Sequence, residues 1–320
     1  MEQKTNLKEI AKMLRDPGFD RVLVACHRSP DGDAVGSSHA LAFALRKMGK
    51  QARVFCTDAI GAEFSYLTQA EEGLFPFEPL FFVTVDVASP EMLPGAEFLD
   101  KIALVLDHHR INTVEGKVKY VDPEKASCGE IVLALLKEME IEFDSYLASA
   151  LYTAISTDTG CFRYSNTGED TFLAAAFLSR FAEKGDFYNI NKKMFETKSR
   201  LRMKLESFAA SEMKLFCEGK IAYLCVTKSI QEKMGATYSE LDTLINVLRQ
   251  LEGVEVSIVS KEREEGVFKV SVRSEKGFDA SDFCHTFGGG GHIAAAGCTL
   301  TGTEKEITEK LLSEAERRIS

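Results

Sequence analysis

The stretch Arg21-Val-Leu-Val-Ala-Cys-His-Arg-Ser-Pro-Asp-Gly-Asp-Ala-Val-Gly36 decides how the chain folds. Its apolar first part, residues 21–26, predicts a short buried strand, and residues 37–48 predict a helix. In an open α/β sheet, ligands bind beyond the carboxyl ends of the strands, so we expect a functional site in the loop between them. That loop supplies one imidazole and two carboxylates, from His27, Asp31 and Asp33.

The alternation of strand and helix continues through the first half of the chain. Apolar runs at 51–57, 80–86, 101–107 and 117–121 predict four more strands. From residue 129 to about residue 215 the pattern is mainly helical. Alternation of this kind favours a mostly parallel sheet with helices on both faces, so the predicted fold class of this part is α/β.

After Gly219 the pattern becomes that of a smaller α+β domain. Its predicted strands are 220–227, 254–260 and 267–273, and its predicted helices are 238–251, 281–286 and 303–318. A chain of 320 residues is also long for a single core. We therefore expect a catalytic domain over residues 1–190, a helical linker over 191–217 and a substrate-binding domain over 218–320.

Composition and charge narrow the class of protein. A net charge of −10 argues against a protein that coats long DNA or RNA, but it leaves room for a short anion in a local pocket. No apolar run approaches the roughly 18–20 residues of a membrane helix, and the N-terminus is too polar for a signal peptide. We expect a cytoplasmic protein that does not enter membranes. The eight scattered cysteines favour reduced thiols.

Further acidic and imidazole side chains follow the predicted elements. The third strand ends in Asp86, the fourth ends in the triplet Asp107-His108-His109, and Asp158 follows a helix. A single aspartate at the end of a strand is commonly a turn former or a helix cap. Here several segments carry the same chemistry, so five carboxylates and three imidazoles would converge at one edge of the sheet.

Such a convergence points to metal ions. Carboxylates packed together repel one another and must take up protons or bind cations. A mixed set of oxygen and imidazole ligands suits Mn²⁺ better than Ca²⁺ or a thiolate-bound Zn²⁺, with Mg²⁺ or Co²⁺ as alternatives. Two ions about 3.5–4 Å apart are a known arrangement for phosphate hydrolysis. The sequence therefore predicts a phosphoesterase that uses two Mn²⁺ ions per active site.

These segments resemble the motifs of the DHH phosphoesterase superfamily. The matching patterns are H-x-x-P-D-x-D-A-x-G from His27, a strand-ending Asp86, the Asp-His-His triplet and D-T-G from Asp158. In addition, Gly288-Gly-Gly-Gly-His-Ile-Ala-Ala-Ala-Gly297 resembles the glycine-rich signature of the DHHA1 domain that accompanies this catalytic core. The resemblance covers almost the whole chain.

The resemblance implies a role for each matching position. The metal ligands would be His27 and Asp31 for one ion, Asp33, His108 and Asp158 for the other, and Asp86 as the bridge between them. His109 would act beside the scissile phosphate, by polarising it or by protonating the leaving oxygen. Asp107 would orient an imidazole, in keeping with the rule that ligating histidines are themselves hydrogen-bonded.

The second domain would hold the far end of the substrate. Consecutive glycines let a backbone approach a ligand closely, and their N–H groups can cradle a phosphate. An exposed flexible loop is the alternative interpretation. The residues assigned to substrate binding are Arg273, Ser274, Gly289, Gly290, Gly291 and His292.

Within the superfamily, a chain of this size with this glycine signature is most similar to bifunctional oligoribonucleases. These enzymes also remove the 3′-phosphate of 3′-phosphoadenosine 5′-phosphate (PAP). The resemblance thus implies short RNA oligonucleotides or nucleotide bisphosphates as substrates, and it is compatible with a homodimer. A cyclic-di-AMP or pApA phosphodiesterase is the alternative. A non-catalytic nucleotide sensor is a minor one, because it would need a lost ligand position.

Overall fold

The computed structural model describes residues 6–275 and 277–319. The chain forms two compact units that divide between Thr197 and Lys198. All eight cysteines are free thiols, in keeping with their scattered spacing. Within the described residues, no helix has an apolar stretch of the length that a bilayer crossing requires.

A parallel sheet of five strands forms the centre of the first unit. In chain order the strands are β1 (Val22–Ala25), β2 (Ala52–Phe55), β3 (Phe81–Val85), β4 (Ile102–Asp107) and β5 (Val118–Val121). They lie side by side in the order β2-β1-β3-β4-β5, and every neighbouring pair runs parallel. The α/β sheet predicted from the sequence is confirmed, with each predicted strand in its place.

Helices pack against this sheet, and some of them begin at a side-chain cap. They are α1 (Leu7–Arg15), α2 (Gly32–Lys47), α3 (Ser65–Thr68), α4 (Cys128–Glu138), α5 (Ser145–Asp158), α6 (Glu169–Leu178) and α7 (Asp186–Asn191). A π-helical turn over Lys192–Glu196 continues α7. Ser127 caps α4 and Asp144 caps α5, because each side chain accepts a hydrogen bond from a backbone N–H of the first turn.

The two faces of this sheet are covered by different kinds of structure. Leu104 and Leu106 of β4 lie in a large apolar cluster with helices α1 to α7. Val105, which points the other way, lies in a smaller cluster. That second face is covered by 3₁₀ turns at Pro90–Met92 and Leu99–Lys101 instead of longer helices. The covering segment contains two prolines and a glycine, which interrupt regular helices.

The second unit is built on a mixed sheet of six strands. These are β6 (Lys214–Phe216), β7 (Ile221–Val226), β8 (Val256–Glu264), β9 (Val267–Ser274), β10 (Gly290–His292) and β11 (Ala295–Thr301). Their order is β10-β11-β9-β8-β7-β6, in which β7 and β8 are parallel and the other pairs antiparallel. The smaller α+β domain predicted from the sequence is therefore confirmed.

The helices of the second unit are α8 (Arg200–Glu212), α9 (Lys228–Met234), α10 (Ile245–Leu248), α11 (Ala280–His285) and α12 (Glu304–Ile319). The helix expected over 238–251 is broken into a 3₁₀ turn and the short α10. Helix α8 lies where the sequence predicted a linker. It buries Leu205 and Ala209 in a cluster with Ala222 and Leu224 of β7, so it belongs to the packed core of this unit.

A glycine lies at the contact between α2 and α5, and replacing it gives a test of the packing. A methyl group at Gly36 of α2 would lie 2.3 Å from the Ala150 carbonyl oxygen and 2.8 Å from the Ala154 nitrogen of α5. We expect Gly36→Ala to lower the free energy of unfolding by about 1–3 kcal/mol, although alanine is the better helix former. Denaturant unfolding measures the change.

The matched control is Gly168→Ala at the start of α6. A methyl group there would have no neighbour within 4 Å, so the change should stay within about 1 kcal/mol. Equal losses in the two variants would contradict the proposed packing role of Gly36.

Candidate metal centre

The side chains singled out from the sequence meet at the carboxyl edge of the first sheet. His27 lies two residues after β1, Asp86 directly follows β3, and Asp107 is the last residue of β4. Asp31 caps the start of α2, and Asp158 is the last residue of α5. Because the carboxyl ends of parallel strands share one edge, groups from distant parts of the sequence become neighbours.

The first group of ligand atoms consists of His27, Asp31 and Asp86. The His27 Nε2 atom lies 3.6 Å from Asp86 Oδ2 and 3.9 Å from Asp31 Oδ1. These separations are longer than hydrogen bonds. Atoms that bind one ion at about 2.1 Å lie roughly 3–4 Å apart, so the group has the spacing of a metal site.

The second group is centred on His108 and uses the other oxygen of the same aspartate. Its Nε2 atom lies 3.6 Å from Asp86 Oδ1. It also lies 3.7 Å from Asp33 Oδ2 and 3.5 Å from Asp158 Oδ2. The two groups therefore share Asp86, one carboxylate oxygen on each side. The structure brings together the six side chains that the resemblance assigns to a metal pair.

The backbone and the side chain of Asp86 are both held in unfavourable states. Its backbone is left-handed, with φ of 60°, a conformation that a non-glycine residue adopts at a cost. Its side chain is buried, and its Oδ1 atom has no hydrogen-bond partner within the described residues. A buried carboxylate oxygen without a partner is unfavourable, whereas a cation between the two groups would satisfy it. The residues present thus fit a pair of divalent ions.

Asp33 is anchored by the beginning of α4. Its carboxylate accepts hydrogen bonds from the backbone N–H of Cys128 at 2.6 Å and of Gly129 at 2.9 Å, and from the Ser37 hydroxyl at 2.8 Å. Helix N-termini favour anions. Nevertheless burial, and then the charge of Asp86, raise the pKa of Asp33 well above its ordinary value. A nearby cation would lower that pKa again.

The two histidines of these groups are oriented by main-chain carbonyls. The Nδ1 atom of His27 lies 2.7 Å from the Arg28 carbonyl oxygen, and that of His108 lies 3.2 Å from the Lys125 carbonyl oxygen. A carbonyl oxygen only accepts, so Nδ1 donates in both rings and Nε2 is directed at the carboxylates. Burial opposes the charged form of His27, but the neighbouring Asp86 carboxylate and the hydrogen bond to the carbonyl raise its pKa to about 9.

His109 is held by a buried aspartate beside the two groups. Its Nδ1 atom donates to Asp107 Oδ1 at 2.8 Å, and this bond raises the pKa of His109 to about 9. Asp107 is fully buried, and its Oδ2 atom accepts from the Asn112 amide at 2.6 Å. The sequence did not single out Asn112, because an asparagine in a loop has many other uses. The Ser37 hydroxyl was missed as well, because a serine inside a helix carries no signal for such a contact.

The glycine run of the second unit leads into β10, which forms a tight hairpin with β11. A methyl group at Gly289 would lie 2.3 Å from a carbonyl oxygen of β11, and one at Gly291 would lie 2.6 Å from another. These two glycines are therefore required by the hairpin itself. Gly290 has open space around its α-carbon, and Gly290 and His292 are both exposed.

Arg273 and Ser274 lie at the end of β9 and differ in the hydrogen-bonding capacity that they leave free for a ligand. The Arg273 guanidinium is half-buried and donates to the Val272 carbonyl oxygen at 3.0 Å. The Ser274 hydroxyl lies 2.9 Å and 3.1 Å from the carbonyl oxygens of Phe278 and Ile293, so it ties the strand end to neighbouring loops. Arg273 keeps hydrogen-bonding capacity for a ligand, whereas the Ser274 hydroxyl proton is engaged by the main chain.

Comparison with known protein families finds two matches. Residues 21–155 match the DHH family, N-terminal domain, and residues 218–320 match the DHHA1 domain. The first match contains both histidine-centred groups except Asp158. The second contains the glycine hairpin.

Similar proteins match more than nine-tenths of the chain. The bifunctional oligoribonuclease and PAP phosphatase NrnA of Thermus thermophilus is 32% identical, over 99% of this chain and 94% of that protein. The protein of the same name from Mycoplasma genitalium is 26% identical, over 91% of this chain and 92% of that one. An exopolyphosphatase-related protein from Bacteroides fragilis has the same fold, with a TM-score of 0.85 at 23% identity, covering 97% of this chain and 96% of that structure.

If these residues bind Mn²⁺, the ion should stabilise the folded protein to an extent that depends on pH. Without a cation, the pKa of His27 is about 9 and burial raises that of Asp158 to about 6. At pH 6 protons therefore compete with the ion, and its apparent affinity falls up to about tenfold per pH unit for each proton displaced. We expect Mn²⁺, relative to EDTA, to raise the midpoint of thermal unfolding more at pH 8 than at pH 6.

Two aspartate variants test whether the Mn²⁺ effect comes from the proposed centre. Asp86→Asn should abolish most of the Mn²⁺ effect, because an amide supplies no bridging charge, although asparagine tolerates the left-handed backbone. Asp100→Asn, at an exposed aspartate outside the centre, should respond as the wild-type protein does. A larger Mn²⁺ effect at pH 6, or an unchanged one in Asp86→Asn, would refute the assignment.

Proposed function

We propose, because this chain belongs to the DHH family and carries a DHHA1 domain, that it hydrolyses short oligoribonucleotides to mononucleotides and removes the 3′-phosphate of PAP. The observation that carries the proposal is the pair of histidine-centred groups that share Asp86. The similarity to NrnA of Thermus thermophilus, which extends over nearly the full length of both chains, supports the choice of substrates.

The proposed cofactor is a pair of divalent ions. Three carboxylates around one imidazole, and two around the other, make a mixed oxygen and nitrogen set that suits Mn²⁺, with Mg²⁺ or Co²⁺ as alternatives. When bound, such a pair supplies Lewis acidity that activates water and stabilises charge on the phosphate. The ligands we assign are His27, Asp31, Asp33, Asp86, His108 and Asp158.

His109 is the residue to which we assign proton transfer. Asp107 fixes one nitrogen of its ring, so the other nitrogen, Nε2, is available to the substrate. With a pKa of about 9, the ring carries a proton at neutral pH. It can therefore donate to the leaving oxygen, or stabilise charge on a phosphate oxygen in the transition state. Asn112 acts as a positioning residue, because it holds Asp107 in place.

The second unit is assigned to substrate binding. Arg273, the Gly290 backbone and His292 are the groups with capacity for a ligand, whereas Gly289 and Gly291 shape the hairpin. The net charge of −10 disfavours long nucleic acid and fits short substrates held in a local site. A cytoplasmic location and a homodimer are further parts of the proposal.

A panel of substrates tests the proposed activity. The purified protein is incubated with Mn²⁺ and either RNA of two to five nucleotides, PAP, cyclic di-AMP or pyrophosphate. We expect mononucleotides from the RNA and inorganic phosphate from PAP, measured by chromatography and phosphate release. Preferential hydrolysis of cyclic di-AMP would favour the cyclic dinucleotide alternative. Absence of turnover with binding retained would favour a nucleotide sensor.

The metal ligands give a test by substitution. His108→Ala removes the imidazole at the centre of the second group, so kcat on RNA and on PAP should fall more than about 100-fold. His285→Ala is the matched control, because His285 is an exposed histidine on α11 outside the proposed site. It should keep the wild-type rate within about twofold. More than a few per cent activity in His108→Ala would rule out the assigned role.

A further inference from the structure

A small recess within the second unit carries two arginines. It has a volume of about 180 Å³ and is lined in part by Arg249, Ser257 and Arg273. Arg249 follows α10, Ser257 lies on β8, and Arg273 lies opposite it on β9. The family resemblance assigned only Arg273 to substrate binding. Arg249 and Ser257 were not singled out from the sequence.

The two guanidinium groups are not neutralised by the protein. Across residues 6–275 and 277–319, neither has a carboxylate oxygen within 4 Å, and the lining carboxylate of Glu255 is paired with Lys220 at 3.2 Å. Glu275, which also lines the recess, is exposed. Burial, and then the charge of Arg249, lower the pKa of Arg273. Arg273 is thus a partly desolvated cation with the exposed cation of Arg249 in the same lining, which favours an anion between them.

A buried hydroxyl in the recess points to the same ligand chemistry. Ser257 is only 1% exposed, and its hydroxyl has no hydrogen-bond partner within the described part of the chain. A buried hydroxyl without a partner is unfavourable. With two guanidinium groups, it forms a set of donors that suits the oxygens of a phosphate group.

Size and position restrict what this phosphate belongs to. A volume of about 180 Å³ is below the roughly 300–1,000 Å³ of pockets that enclose a whole small ligand, so the recess has room for a phosphate group but not for a complete nucleotide. Ala295, in its wall, pairs with Arg273 on one side and with the exposed His292 on the other. The recess therefore adjoins the glycine hairpin.

We infer that Arg249, Ser257 and Arg273 bind a phosphate monoester of the substrate that is not itself hydrolysed. This inference rests on the proposed function. PAP keeps its 5′-phosphate when its 3′-phosphate is removed, and a short oligonucleotide can carry a terminal 5′-phosphate. Recognition of the same group in both substrates would let one site serve a monoester and a diester reaction. Arg249 is then a residue that determines substrate specificity.

Two dinucleotides that differ by one phosphate test the inference. We compare steady-state hydrolysis of pApA and of ApA, which lacks the 5′-phosphate, by the wild-type protein and by Arg249→Gln. The variant should raise the KM for pApA about 10–100-fold, change the KM for ApA less than about twofold, and leave kcat nearly unchanged. Ser257→Ala should shift the same KM by a few-fold. Equal effects on both dinucleotides would overturn the inference.

The control separates a specific contact from a general loss of positive charge. Arg263→Gln removes an exposed arginine on β8 that does not line the recess, so it should keep the preference for pApA. If it loses that preference as far as Arg249→Gln does, the effect is one of net charge and the recess is not the site.

A binding measurement distinguishes failure of this inference from failure of the proposed function. In EDTA, where no hydrolysis takes place, calorimetry compares AMP with adenosine on the full-length chain. The wild-type protein should bind AMP more tightly, and Arg249→Gln should lose that difference. If the preference for AMP depends on Arg249 while all hydrolysis assays are negative, the recess is supported and the proposed function fails. If hydrolysis occurs but AMP and adenosine bind alike, only the recess inference fails.

Discussion

Repulsion between carboxylates buried at one edge of the first sheet is the constraint on which the rest of this unit depends. Asp33 and Asp86 are almost inaccessible to water, yet both lie within 4 Å of His108 Nε2. Such an arrangement costs stability unless positive charge is close by. The N-terminus of α4 and the imidazoles offset part of this cost, whereas the left-handed backbone of Asp86 adds to it. The fold itself thus supplies groups that could hold a cation.

The sequence predicted this centre because its residues mark the ends of regular elements. Apolar runs identify the strands, and His27, Asp86 and Asp107 follow or end them. The supporting contacts could not be predicted in the same way. Asn112 reaches Asp107 from within a loop, and Asp33 is held by backbone N–H groups more than ninety residues away. Such contacts depend on tertiary packing, and neither periodicity nor residue type indicates them.

The glycine run is a strong sequence signal, but its glycines are present for different structural reasons. The backbone of Gly289 and Gly291 passes too close to β11 for any side chain, whereas Gly290 is open to a ligand. Arg249, which carries no motif, lines the recess beside this hairpin because α10 ends there. Its role could be inferred only after the strands were in register, with Ser257 opposite Arg273. In the second unit the glycine motif therefore coincides only in part with the residues that we propose to bind substrate.

The burial of α8 bears on where an independently folding piece of this chain would begin. The recognisable DHHA1 sequence starts at residue 218, but α8 precedes it and covers Ala222 and Leu224 of β7. A fragment cut at 218 would leave this apolar surface bare and open to aggregation. To fold on its own, the second unit therefore needs the sequence from Lys198 onward, which includes twenty residues before the DHHA1 match begins.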